Sequence, residues 1–224
     1  MFVLKIRILS DLHMEGYPFY YNYAGEDVVV LAGDIHTQGR HNFILDQIPT
    51  NVKVLMVAGN HEYYGATFED VNMVLYELQA QYPNFYYLQN ESIWLNHVEF
   101  FGGTMYTDFE LYGSGERWFA EQRAKNGIAD FTWISRKTDE YDRRWTTTDH
   151  IREHQAFCKG LENWIADTKD SKYKKVVISH FVPHPDGSDP KYSGSPLQPY
   201  FISDMRRYMG AMDLWIYGLS LIHI

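Results

Sequence analysis

With 224 residues, 45% of them hydrophobic, the chain is long and apolar enough for one domain with a substantial core, which excludes a disordered polymer. Its 20 basic and 29 acidic residues give a formal charge of −9, poorly suited to gripping a long nucleic acid. A small phosphate substrate stays open, because bound metal ions would set the local field, whereas no apolar run reaches the roughly 20 residues needed to span a membrane.

"FVLKIRIL" (2–9) is expected to be a strand. Lys5 and Arg7 interrupt it, and no small-residue cleavage site follows, so it does not read as a secretion signal. "DVVVLA" (27–32) and "KVLMVA" (53–58) are continuous apolar runs, the pattern of strands covered on both faces. A helix should start at Thr67, whose spacing to Asp70 resembles a capping box, with Phe68, Val71, Val74, Leu75 and Leu78 on one face. "SIWLNHVEFFGG" (92–103) reads as two short strands around an Asn96–His97 turn. Residues 107–147 are polar, aromatic and weakly periodic, and are expected to form an insertion or lid. A long helix should run from Thr148 to about Asp167, followed by strands "KKVVIS" (174–179) and "MDLWIY" (212–217) with a Pro/Gly/Ser-rich loop between them. The single cysteine, Cys158, allows no internal disulfide and fits a reducing, cytoplasmic compartment. Strands alternating with helices predict an α/β fold, with functional groups at the C-terminal ends of the strands.

Those ends are where hard metal ligands fall. "RILSDLH" brings Asp11 and His13, "VVLAGDIH" brings Asp34, "LMVAGNHEYY" brings Asn60 and His61, and "VVISHF" brings His180. Carboxylate oxygen, amide oxygen and imidazole nitrogen suit Mn, Fe or Zn. Taken singly, Asp11, Asp34 and Asn60 are also ordinary turn-formers and helix N-caps, and a lone histidine after a strand is usually structural. Their joint occurrence at four strand ends favours a metal site.

The ordered set "SDLH", "GDIH", "GNHEYY" and "ISHF", spanning residues 10 to 181, resembles the calcineurin-like metallophosphoesterases, in particular a bacterial-type subgroup of small phosphohydrolases. The resemblance implies a four-layer sandwich of two β-sheets flanked by helices. It also implies two divalent metals sharing a hydroxide that attacks a small phosphoester, monoester or diester. By the same resemblance Asp11 and His13 would hold one metal, Asn60 and His180 the other, and Asp34 would bridge them. His61 would face the phosphoryl group or protonate the leaving oxygen.

The chain departs from that pattern at its end. The family's closing Gly-His-x-His motif is represented by Gly218, but Leu219 and Leu221 stand at the histidine positions, and His223 lies two residues too far along. Phe181 stands where many relatives have a second histidine. The expectation is a domain over residues 1–218, lacking the family's C-terminal strands, with 219–224 an aberrant or foreign tail. Alternatives are weak metal binding by a reduced ligand set and a non-catalytic binding module. "HIREH" (150–154) matches an inverted zincin pattern, but its face continues through Cys158, Leu161 and Ile165, so packing explains it. His36, His41 and His184 read as loop residues near the motifs.

Overall fold

The computed structural model describes residues 3–219. Among the described residues the strands are β1 (Ile6–Leu9), β2 (Val28–Ala32), β3 (Lys53–Val57), β4 (Phe85–Tyr87), β5 (Glu91–Leu95), β6 (Val98–Gly103), β7 (Ser135–Arg136), β8 (Arg143–Arg144), β9 (Lys174–Ser179) and β10 (Leu214–Tyr217). The α-helices are α1 (Asn42–Leu45), α2 (Phe68–Gln81), α3 (Arg117–Gly127), α4 (Asp130–Trp133), α5 (Thr147–Asp167) and α6 (Gln198–Phe201).

Two four-stranded sheets carry the fold. One has the order β1-β2-β3-β4 and is wholly parallel; the other has the order β10-β9-β6-β5, antiparallel only at β5–β6. Their inner faces meet. Val28, Val30, Ala32, Leu55 and Val57 pack against Phe100, Val176, Ile178 and Ile216 in one buried cluster. The alternate residues Val29, Leu31, Val54 and Met56 face outward into a second cluster with the α2 residues Val71, Leu75 and Leu78. Across the molecule, Phe101 and Val177 meet Phe157, Leu161 and Trp164 of α5. Period-two alternation with both faces covered is why these strands read as unbroken apolar runs. Burying each such side chain contributes about 1.5–3 kcal/mol.

The helix starts are set by side chains. Thr67 accepts the Asp70 amide hydrogen at 3.1 Å, and only Val74 of the predicted face is less than fully buried. Thr146 and Asp149 form a complete capping box that starts α5 at Thr147, and Arg143 grips Asp149 at 2.6 and 2.7 Å. His150 and His154 are buried in the core, His150 beside the Thr107 hydroxyl at 3.0 Å and His154 beside the Met105 carbonyl at 3.2 Å. The inverted-zincin pattern is therefore packing.

Several expectations need correction. The first strand occupies Ile6–Leu9 rather than starting at residue 2, and the last begins at Leu214 rather than Met212. Residues 107–147, expected to form an insertion or lid, are packed into the core. They contribute α3, α4, β7 and β8 and bury Phe109, Asp130, Ile134 and Trp145. Single anchoring side chains hold this segment, which is why its sequence shows little periodicity. Leu221 and His223 lie outside the described residues.

Candidate functional site

The C-terminal ends of β1, β2, β3, β9 and β10 point to one edge of the sandwich, where the loops that follow them interlock. The Asp11 amide donates to the Gly33 carbonyl at 3.1 Å, His13 to Asp34 at 3.0 Å and Met14 to Ile35 at 2.9 Å. Asp11, His13 and Asp34 hold left-handed backbone, with φ of 54°, 44° and 56°. Each such non-glycine residue costs on the order of 1–3 kcal/mol and persists only where its surroundings enforce it, and such strain concentrates at functional sites. Gly33 also has positive φ, at 88°. Gly59 does not; it is required because a Cβ there would strike Asp34 and His180.

Asp34 is at the centre. Its Oδ2 lies 3.8 Å from His13 Nε2, and its Oδ1 lies 3.5 Å from His180 Nε2 and accepts the His61 amide hydrogen at 2.9 Å. Ligand atoms of His13, Asp34 and His61 lie within 4.8 Å of one another, as do those of Asp11, Asp34 and His180. All six residues named from the sequence line or adjoin this edge, so none is stranded elsewhere. The groupings cut across the expected ones, because Asp11 clusters with His180 and His13 with His61.

The imidazoles are oriented by their second nitrogens. His180 Nδ1 lies 2.8 Å from the Ala32 carbonyl, which can only accept, so Nδ1 carries a hydrogen and Nε2 is the nitrogen turned toward Asp34. The Glu15 carboxylate lies 3.2 Å from Nδ1 of both His13 and His61. The two rings meet edge to face at 4.4 Å, and Tyr64 stacks on His61 at 4.2 Å. Burial alone would lower the pKa of His180 and raise that of Asp34. Their mutual attraction outweighs burial, lifting His180 to about 10 and holding Asp34 at about 2.

Three residues to which sequence reasoning gave no role in the site complete it. Glu62 is fully buried and accepts hydrogen bonds from the amides of Asp34, Ile35 and Gly59 at 2.9, 2.7 and 2.7 Å. His41, expected to be a loop residue, is fully buried and lies 3.3 Å from the same carboxylate. Burial would raise the pKa of Glu62, but His41 and the amides hold it below the usual carboxylate range. Asp130 is the third. It accepts from Asn60 Nδ2 at 2.9 Å, from Tyr64 at 2.8 Å and from Tyr200, while burial pushes its own pKa up.

Those contacts bear on whether a metal fits. With its amide nitrogen committed to Asp130, Asn60 has a buried Oδ1 without a hydrogen-bond partner among the described residues, and His180 Nε2 likewise has none. A buried, unpartnered amide oxygen and an imidazole nitrogen beside a carboxylate fit divalent metal ligation, in which a metal would take the place of the Nε2 proton. Leu219, at the expected histidine position, lines the same cleft with carbon alone. Phe181 is fully buried against Tyr106, His150 and Tyr200, so it belongs to the core.

Imidazole, carboxylate and amide donors gathered from parallel strand ends of two sheets are the arrangement of a metal-dependent hydrolase. The chain belongs to the calcineurin-like phosphoesterase family, whose model matches residues 4–218. An uncharacterised mimivirus protein, L509 of Acanthamoeba polyphaga mimivirus, is 23% identical over 242 residues, covering 95% of this chain and 83% of that protein. The solved structure of the phosphopantetheinyl hydrolase PptH from Mycobacterium tuberculosis shares the fold with a TM-score of 0.66 at 15% identity, over 97% of this chain and 83% of that one. A putative 5'-nucleotidase from Staphylococcus aureus matches with a TM-score of 0.49 at 13% identity, over 96% of this chain and 44% of that one. No helix among the described residues is long and apolar enough to cross a membrane.

Proposed function

We propose that the chain hydrolyses a small phosphomonoester or phosphodiester at a dinuclear centre of Mn, Fe or Zn gathered around Asp34. The observation that carries this reading is that the two oxygens of Asp34 face different imidazoles, His13 at 3.8 Å and His180 at 3.5 Å. One carboxylate between two nitrogen donors suits a bridging ligand. Asp11, His13, Asn60 and His180 would supply the other ligands, divided between the two sides. When bound, the metals would acidify a water and neutralise charge on the phosphoryl oxygens.

The chain's own residues do the rest. Glu62 fixes the two loops that present Asp34 and Asn60. Asp130 turns the Asn60 amide so that its oxygen is the ligand atom. With hydrogens on both ring nitrogens, His61 would donate Nδ1–H to Glu15 and pass its Nε2 proton to the departing oxygen, a contribution of about 10²–10⁴ in rate. Within this reading the domain is residues 1–218, a division that the match over 4–218 supports. A reducing, cytoplasmic setting is consistent with Cys158 being free and buried.

A second reading, a binding module that does not turn over, is favoured by Leu219, which offers the cleft no ligand atom. Hydrolysis of 4-nitrophenyl phosphate with added Mn²⁺ separates the two. Metal-dependent turnover that His61→Ala reduces supports the enzyme. Metal binding without turnover, in the chain as it stands and with Leu219→His and Leu221→His introduced, supports the binding module.

A further inference from the structure

The cleft beside the metal-ligand cluster has a volume of about 690 Å³ and a lining of mixed character. Its lining includes the potential ligand and proton-transfer residues Asp11, His13, Asp34, Asn60 and His61, and an aromatic and aliphatic surface from Tyr17, Tyr64, Ile128, Tyr200, Phe201 and Leu219. No Lys, Arg, Ser, Thr or Gln side chain lines it among the described residues.

The tyrosines of the aromatic and aliphatic surface add less polarity than their number implies. The hydroxyls of Tyr64 and Tyr200 both donate to the buried Asp130, so each has its polar end committed within the protein. Tyr64 also stacks on His61, which places an aromatic surface directly beside the group proposed to meet the leaving oxygen. Glu15, the remaining charged residue, has its carboxylate against two histidines. This surface thus offers little to a sugar's hydroxyls or to a second phosphate, and among the described lining residues an extra negative charge would find no Lys or Arg. A ring or branched alkyl group would find a surface it can dehydrate.

We infer that the substrate is a phosphoester with a single phosphoryl group and a bulky apolar or aromatic organic group, and that neither a polyphosphate nor a nucleoside polyphosphate is accepted. This rests on the reading of the Asp34 cluster as the phosphoryl-binding centre. The aromatic and aliphatic surface seats the organic group while the phosphoryl oxygens lie at the ligand cluster. Ile128 is the position that sets the preference. It follows directly from the end of α3, its side chain is half-buried, and it can be exchanged without touching a ligand residue.

Non-hydrolysable phosphonates test this by binding, whether or not the chain turns over. With the Mn²⁺-loaded protein, calorimetry would compare phenylphosphonate, methylphosphonate and phosphonoacetate. Phenylphosphonate should bind about tenfold or more tightly than methylphosphonate, the scale set by burying one ring face. Phosphonoacetate, with its added carboxylate, should bind no better than methylphosphonate. Ile128→Arg should reverse the order of phenylphosphonate and phosphonoacetate. Equal binding of phenyl- and methylphosphonate, or tightest binding of phosphonoacetate to the unaltered chain, overturns the inference but leaves the phosphoryl-binding reading standing. Failure of all three to bind overturns both.

Discussion

Glu62 holds Asp34 by the backbone: its Oε2 accepts the Asp34 amide hydrogen at 2.9 Å and the Gly59 amide hydrogen at 2.7 Å. A single buried carboxylate thereby joins the loop after β2 to the loop after β3. Glu62→Gln keeps the shape but turns an amide group toward backbone donors. It should cost about 2–4 kcal/mol of stability, read as a lowered denaturation midpoint. An unchanged midpoint would mean that the loops hold together without this carboxylate.

Asp130 orients Asn60 from within the segment 107–147. Asp130→Ala leaves the Asn60 amide and two tyrosine hydroxyls without their shared acceptor. Metal affinity, measured by titration of the folded variant, should fall about 10- to 100-fold, the usual scale for groups that orient a ligand. A folded Asp130→Ala protein with undiminished affinity would show that Asn60 needs no such orientation.

Glu15 is exposed and joins Nδ1 of His13 to Nδ1 of His61. Glu15→Gln should leave stability within about 0.5 kcal/mol of the parent. It should lower kcat more than it raises KM, with the deficit shrinking for substrates whose leaving group needs no proton. Glu15→Asp should recover part of the loss. A uniform deficit across leaving groups would assign Glu15 to holding His13 alone.

The strands and the long helices were legible because burial on one or both faces leaves a period in the sequence. The meeting of Asp11, His13, Asp34, Asn60, His61 and His180 at one edge was legible because each follows a strand. Glu62 and Asp130 were not. Glu62 follows His61 in a motif already accounted for, and its partners at 34 and 35 are brought near only by the parallel pairing of β2 with β3. Asp130 sits in an aperiodic stretch, 70 residues from Asn60, and reads locally as a surface acid. His41 became a core residue through the same long-range carboxylate.

Glu26 ties down the loop between β1 and β2. Burial works to raise its pKa, but the Tyr21 hydroxyl, the Ala24 amide and Arg7 overcome that and bring it from 4.5 to about 2. Because the folded value lies below the unfolded one, the ionised form stabilises the fold. Its contribution is complete above about pH 4.5 and is lost as pH falls toward 2. Glu26→Gln should therefore flatten the pH dependence of the denaturation midpoint across that window. Parallel curves for parent and variant would remove Glu26 from the acid response.

The central claim is that Asp34 is the ligand common to both sides of a metal centre. Metal bound per chain, measured by elemental analysis after equilibration with Mn²⁺ and removal of excess, tests it most directly in the parent, Asp34→Asn and Asp11→Asn. The account predicts bound metal in the parent, partial loss in Asp11→Asn and the greatest loss in Asp34→Asn. Equal metal content in the two variants, or none in the parent, would contradict it.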